Sequence, residues 1–112
     1  MMIRHRCDGE VHILSISGHV TIEDADEFDG YLDRLLSAGA TKVVFDCAEV
    51  VHIVSATVGS LLGVRERLKG TGGRACIANL SQAMERISQQ MSITRFFDVH
   101  PDVDTAVKAL AS

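Results

Sequence analysis

The chain has 112 residues, 46% apolar and 23% charged, with fifteen acidic against eleven basic side chains and a formal charge of −4. A chain of about 100–150 residues buries a core without staples, so one globular domain over residues 1–112 is expected and a disordered or fibrous chain is not. The acidic balance argues against nucleic acid as the main partner.

The first residues, Met-Met-Ile-Arg-His-Arg-Cys, lack the apolar stretch of a signal peptide. No apolar run approaches the ~18 residues that would span a membrane, so no membrane insertion and a cytoplasmic location are expected. Cys7, Cys47 and Cys76 are odd in number and show no C-x-x-C spacing. They read as reduced thiols, not as a disulfide framework or a zinc site.

In chain order, Ile3–Cys7 and Glu10–Ser17 are β-like runs on either side of Asp8-Gly9, a two-residue hairpin signal that would set His5 opposite His12. Gly18–Val20 leads into Thr21-Ile-Glu-Asp24, which resembles a capping box. Ala25, Phe28, Leu32, Leu35 and Leu36 then fall on one face of a helix that Gly39 ends. Lys42–Cys47 reads as a strand buried on both faces. Thr57–Lys69 is a second helix with Val58, Leu61, Leu62 and Leu68 along one side, and the Arg65 stem lies over the apolar rim. Gly70–Gly73 stops it.

Arg74–Ala78 is another short strand. Asn79-Leu-Ser81 opens a third helix with Met84, Ile87 and Met91 inward, and Phe96 and Phe97 are expected to plug the core. A short strand is followed by Asp102, which caps a last helix with Val103, Ala106, Val107 and Leu110 on one face. Alternating strands and helices predict an α/β fold: a mixed, mostly parallel β-sheet with an N-terminal antiparallel hairpin and about four helices packed against it.

The chemistry-bearing residues are sparse. No two of the five histidines have helical ligand spacing, so no metal and no cofactor are expected. Gly70–Gly73 follows a helix and precedes a strand, the reverse of a phosphate cradle. Asp46, at a strand end, is expected to accept N–H groups of the following loop. No catalytic set has a local signature, so an enzyme is not expected. The informative stretch is Val50–Leu62, where Ser55 falls at the start of a helix. There it reads either as a cap or as a phosphate acceptor, since unpaired N–H groups and a partial positive charge favour an anion at that place.

The ordered series Ile16-Ser-Gly-His-Val20, Lys42-Val-Val-Phe-Asp46, Val50–Leu62, Gly72-Gly-Arg74, Asn79-Leu-Ser81, Ile93-Thr-Arg-Phe-Phe97 and Val103-Asp-Thr-Ala106 resembles the STAS domain of bacterial anti-sigma factor antagonists. The resemblance covers nearly the whole chain. It implies a protein that binds an anti-sigma factor with serine kinase activity, is released when that kinase phosphorylates it, and is reset by a serine phosphatase. Alignment of the signature loop puts the acceptor at Ser55, with Thr57 as a second candidate. The implied docking surface is Gly18, His19 and Thr21 with His52, Val54, Ser55, Ala56, Thr57, Val58 and Gly59. Val54 and Thr21 stand where the family carries aspartates, Ala56 where it carries a second Ser or Thr, and Thr57 where it carries glycine. These neutral substitutions suit an alternative role, a STAS subunit docked without phosphate on the ATPase of an ABC-type lipid transporter, or a STAS scaffold with a silent phosphosite. The sequence leaves homo-oligomerisation open.

Overall fold

Residues 1–111 are described by a computed structural model. The chain begins as a hairpin, β1 (Met2–Asp8) and β2 (Val11–Val20). A single 3-10 turn, Ile22–Asp24, leads into α1 (Ala25–Ser37), followed by β3 (Lys42–Ile53), α2 (Ser55–Lys69) and β4 (Arg74–Ala78). Then come α3 (Gln82–Met91), a 3-10 turn at Ile93–Arg95, β5 (Val99–His100) and α4 (Val103–Ala111). The five strands lie in the sheet in chain order. β1 and β2 are antiparallel, and every later pair is parallel.

Helices cover both faces of this sheet. On one face Leu14, Ile16, Phe45 and Ile77 pack with Phe28, Leu32 and Leu35 of α1, Val58, Leu61, Val64 and Leu68 of α2, and Met84 of α3. On the other, Val11, Ile13, Val44 and Cys76 pack with Ala106, Val107 and Leu110 of α4. That two-sided cover explains why the central strand reads as a continuous apolar run: Val43, Val44 and Phe45 are all fully buried although successive side chains point to opposite faces.

The hairpin register differs from the expected one. Asp8 pairs with Val11, so the turn residues are Gly9 and Glu10. Gly9 has φ +61°, and a two-residue turn with glycine first needs a positive φ at that one residue. A turn centred on Asp8-Gly9 would ask for positive φ at the aspartate as well. The slip is two residues, so every side chain keeps its face. His12 now lies opposite Cys7, and His5 opposite Leu14.

β3 runs six residues beyond the expected strand end at Cys47, and it carries Val50 and Ile53 into the core. α2 begins two residues earlier than its apolar periodicity suggests, at Ser55. Of the two adjacent phenylalanines, Phe97 is buried and meets Phe45 edge-on at 6.3 Å, whereas Phe96 is 45% exposed. Phe96 therefore does not plug the core; it lies under the Arg65 guanidinium, 5.7 Å from ring centroid to Cζ.

Contrary to expectation, Asp46 lies inside β3 and not at a strand end, so it serves no following loop. Its carboxylate accepts from the Ala48 N–H (3.2 Å), from Ser15 Oγ (3.1 Å) and from Asn79 Nδ2 (3.1 Å). One side chain thus ties β2, β3 and the end of β4 together.

Candidate partner-docking site

The far ends of β2 and β3 meet the start of α2. The two strands run parallel, with Gly18 beside Val50, His19 beside His52 and Val20 beside Ile53. The ladder is irregular between Ser15 and Ser17 and again between Gly18 and His19. Gly18 has φ +86°, a conformation that a β-carbon penalises, so glycine is needed to carry the irregularity. The Val54 N–H donates to the Val20 carbonyl at 3.2 Å and closes the junction. Gly18–Thr21 and His52–Gly59, far apart in sequence, therefore form one continuous surface.

Val54 is the extended residue before α2, with φ −93° and ψ 155°, and no side chain caps this helix. Ser55 is the first helical residue, exposed, and it is not the cap. The reason is geometric: a capping oxygen must come from the extended residue before the helix, and that residue is Val54, which has none. Thr57 supplies the local tie instead. Its hydroxyl donates to the Val54 carbonyl at 2.7 Å, and its side chain is fully buried.

His19, His52, Ser55, Ala56 and Gly59 are exposed, and Gly18, Thr21 and Val54 are half-buried. The His19 and His52 rings lie 6.2 Å apart. Thr57 and Val58 are 0% exposed and pack inward, so the side chains of these two expected contact residues add nothing to the surface. Ile22, beside Thr21, is 65% exposed and widens the apolar part of the patch.

Thr21 and Asp24 form the expected box. The Thr21 N–H donates to Asp24 Oδ2 at 2.8 Å and the Thr21 hydroxyl does so at 3.1 Å. These bonds, the backbone one first, hold the Asp24 carboxyl below the usual carboxylate range. A carboxylate thus sits against Thr21, supplied by Asp24 three residues on.

Sequence reasoning missed Ser60. Its hydroxyl donates to Asp29 Oδ1 of α1 and, at 3.4 Å, to the Ala56 carbonyl. One turn further along α1 and about two along α2, Arg67 pairs with Asp33. These two links fix α2, and with it the first turn that carries Ser55, against α1. The signal lay in polar residues one turn apart on α1, Asp29 and Asp33, facing Ser60 and Arg67 about two turns apart on α2, which needed the helix pairing to be seen.

A family model for the STAS domain matches residues 2–106. The chain belongs to the STAS domain family. Among solved structures, an anti-sigma factor antagonist from Mycobacterium paratuberculosis superposes on this STAS domain with a TM-score of 0.90 at 18% identity, covering 99% of this chain and 94% of that one. The Bacillus cell fate determinant SpoIIAA in its phosphorylated form gives 0.76 at 16% identity, covering 96% and 98%. A sulfate transporter family protein from Wolinella succinogenes gives 0.73 at 18% identity, covering 91% and 85%. No curated protein matches the chain by sequence. Among the described residues, no helix is long and apolar enough to cross a membrane.

Proposed function

We propose that this STAS domain is a non-enzymatic, cytoplasmic partner-switching regulator of the anti-sigma factor antagonist type. It docks an anti-sigma factor with serine kinase activity on the junction of β2, β3 and α2, and a phosphate on Ser55 ends the contact. The observation that carries this reading is the placement of Ser55: exposed, at the first position of a 15-residue helix and relieved of capping duty. A phosphate there would add roughly −1.5 to −2 charge beside the positive end of the helix, where its cost to the fold is small. A partner packed on Val54, Ala56 and Gly59 would meet bulk and a charge to desolvate. A serine phosphatase would restore the docking form. The phosphorylated state of the structural neighbour SpoIIAA supports the same chemistry.

A second reading rests on the uncharged character of Val54 and Ala56 with Ile22 nearby. Such a patch suits constant apolar docking on the ATPase of an ABC-type lipid transporter, with Ser55 silent.

Intact-mass measurement after incubation with the co-encoded kinase and ATP separates the two. The regulator gains one phosphate, loses that gain in Ser55→Ala and keeps it in Thr57→Ala. No gain with any co-encoded kinase would sink the switch. Pull-down of the kinase by wild type but not by Ser55→Asp tests the off-state, and equal capture would count against phosphate gating.

A further inference from the structure

A second group of chemically capable side chains lies at the other end of β2, seven residues before His19, or about 23 Å along the strand. His5 and Cys7 are alternate residues of β1 and point to one face. His12 is paired with Cys7 across the ladder and points the same way. The ring nitrogens His5 Nε2 and His12 Nδ1 are 2.9 Å apart. Cys7 Sγ is 3.5 Å from His12 Nδ1 and 3.8 Å from His5 Nε2. All three ligand atoms fall within 4.8 Å of one another.

We propose that His5, Cys7 and His12 bind a divalent zinc-type ion through His5 Nε2, Cys7 Sγ and His12 Nδ1, with water in the fourth position. The distances fit the ion. With Zn–S near 2.3 Å and Zn–N near 2.0–2.1 Å, tetrahedral coordination sets each S···N pair about 3.5 Å apart and the N···N pair about 3.3 Å apart. The two sulfur pairs are at or slightly beyond that spacing. The imidazole pair is closer because, without an ion, one ring N–H donates to the other ring. Binding replaces that hydrogen bond: the shared proton moves to the remote nitrogen of its own ring by tautomerisation, and the Cys7 thiol releases its proton to solvent.

The surroundings hold the ligands in place. The histidine ring centroids are 5.1 Å apart with 28° between their planes, and Tyr31 of α1 meets His5 edge-on at 6.4 Å. His5 and His12 line a cleft with Tyr31, Arg34, Leu35 and Ala38, so the ion would sit between the hairpin and the second half of α1. The donor set of one thiolate and two imidazoles suits zinc, whereas magnesium and calcium require oxygen ligands. Three protein ligands and an accessible fourth position make an open site rather than a closed structural one.

The test uses the full chain, kept reduced and freed of metal by chelator. Competition between the protein and a chromophoric chelator for Zn²⁺ should give one equivalent bound. Outer-shell partners of metal ligands are worth roughly 10–100-fold in affinity, so losing a ligand in Cys7→Ser or His12→Ala should weaken binding by at least about tenfold. Co²⁺ substitution should give a sulfur-to-cobalt charge-transfer band in wild type that Cys7→Ser lacks. All three positions lie on the surface hairpin, and circular dichroism of the metal-free variants checks that the fold is kept. Absence of one-equivalent binding, an affinity unchanged in Cys7→Ser, or half an equivalent per chain would each overturn the site.

Discussion

The hydroxyl of Thr57 donates to the carbonyl oxygen of Val54 at 2.7 Å, and the same oxygen accepts the Thr57 and Val58 N–H groups at 3.1 and 3.3 Å. The start of α2 is therefore fastened from inside by a threonine. Ser55, exposed at the first helical position, does not cap the helix.

A stability series at position 57 follows. Thr57→Val keeps the volume and removes one hydrogen bond, while the Val54 oxygen retains both N–H donors, so the expected cost is about 0.5–1.5 kcal/mol. Thr57→Ala removes a fully buried methyl group as well, and roughly 1–3 kcal/mol is expected. Urea unfolding with an unchanged m-value measures both. Equal stability of wild type and Thr57→Ala would contradict the fastening role.

Gly18 makes a different demand. A β-carbon there would meet nothing within 4 Å, yet φ is +86°. The expected cost of Gly18→Ala is therefore conformational, about 1–3 kcal/mol. Relaxing that strain would shift the irregular β2–β3 register, so partner affinity should fall by more than the loss of stability explains. Titration calorimetry against the partner, set beside urea melts of Gly18→Ala and of a mutation in the remote core, separates the two effects.

The order of strands and helices was legible because each apolar face repeats with its own period, and because Ser81 and Asp102 stand where caps belong. Both caps are made: Ser81 Oγ accepts the Met84 N–H at 3.2 Å and Asp102 Oδ1 accepts the Thr105 N–H at 2.7 Å. What escaped had a common cause, namely contacts between elements. Turns at Asp8-Gly9 and at Gly9-Glu10 give the same in-and-out pattern, so the pattern could not place Cys7 beside His12. The exposed Ala48-Glu49 step interrupts the apolar run of β3 and hides its last four residues. Phe96 and Phe97 are adjacent at the end of a 3-10 turn, and only one of them can face inward. Ser55 looked like a cap because a hydroxyl near a helix start usually is one; the extended Val54 shows that the cap position is one residue earlier.

The three thiols should differ sharply in reactivity. Cys7 is exposed, whereas Cys47 and Cys76 are buried. Burial, with the Asp46 charge adding to it, pushes the Cys47 thiol up to about 12. Burial first and Asp98 second raise Cys76 to about 11, against an opposing pull from Arg74. The thiolate is the reactive form, so a disulfide reagent near pH 8 should label one cysteine in the native protein and three in denaturant. Two fast-reacting thiols in the native state would show the core opening at β3 or β4. Zinc should protect the fast one if Cys7 is a ligand.

Acid should loosen the two box-like helix starts. Thr21 N–H and hydroxyl bonds depress the Asp24 carboxyl, and Thr105 bonds, the backbone one first, depress that of Asp102. A carboxyl whose folded value lies below its unfolded one binds fewer protons when folded. Its stabilisation is then complete above the unfolded value, about 3.9 for aspartate, and is lost as pH falls through the folded value. Melting temperature should thus hold steady with respect to these groups from pH 7 to about 5 and decline below pH 4. Asp24→Asn and Asp102→Asn keep an oxygen acceptor but cannot titrate, so each should start lower at pH 7 and show a shallower acid slope than wild type. A slope unchanged in both variants would place the acid sensitivity in other carboxylates.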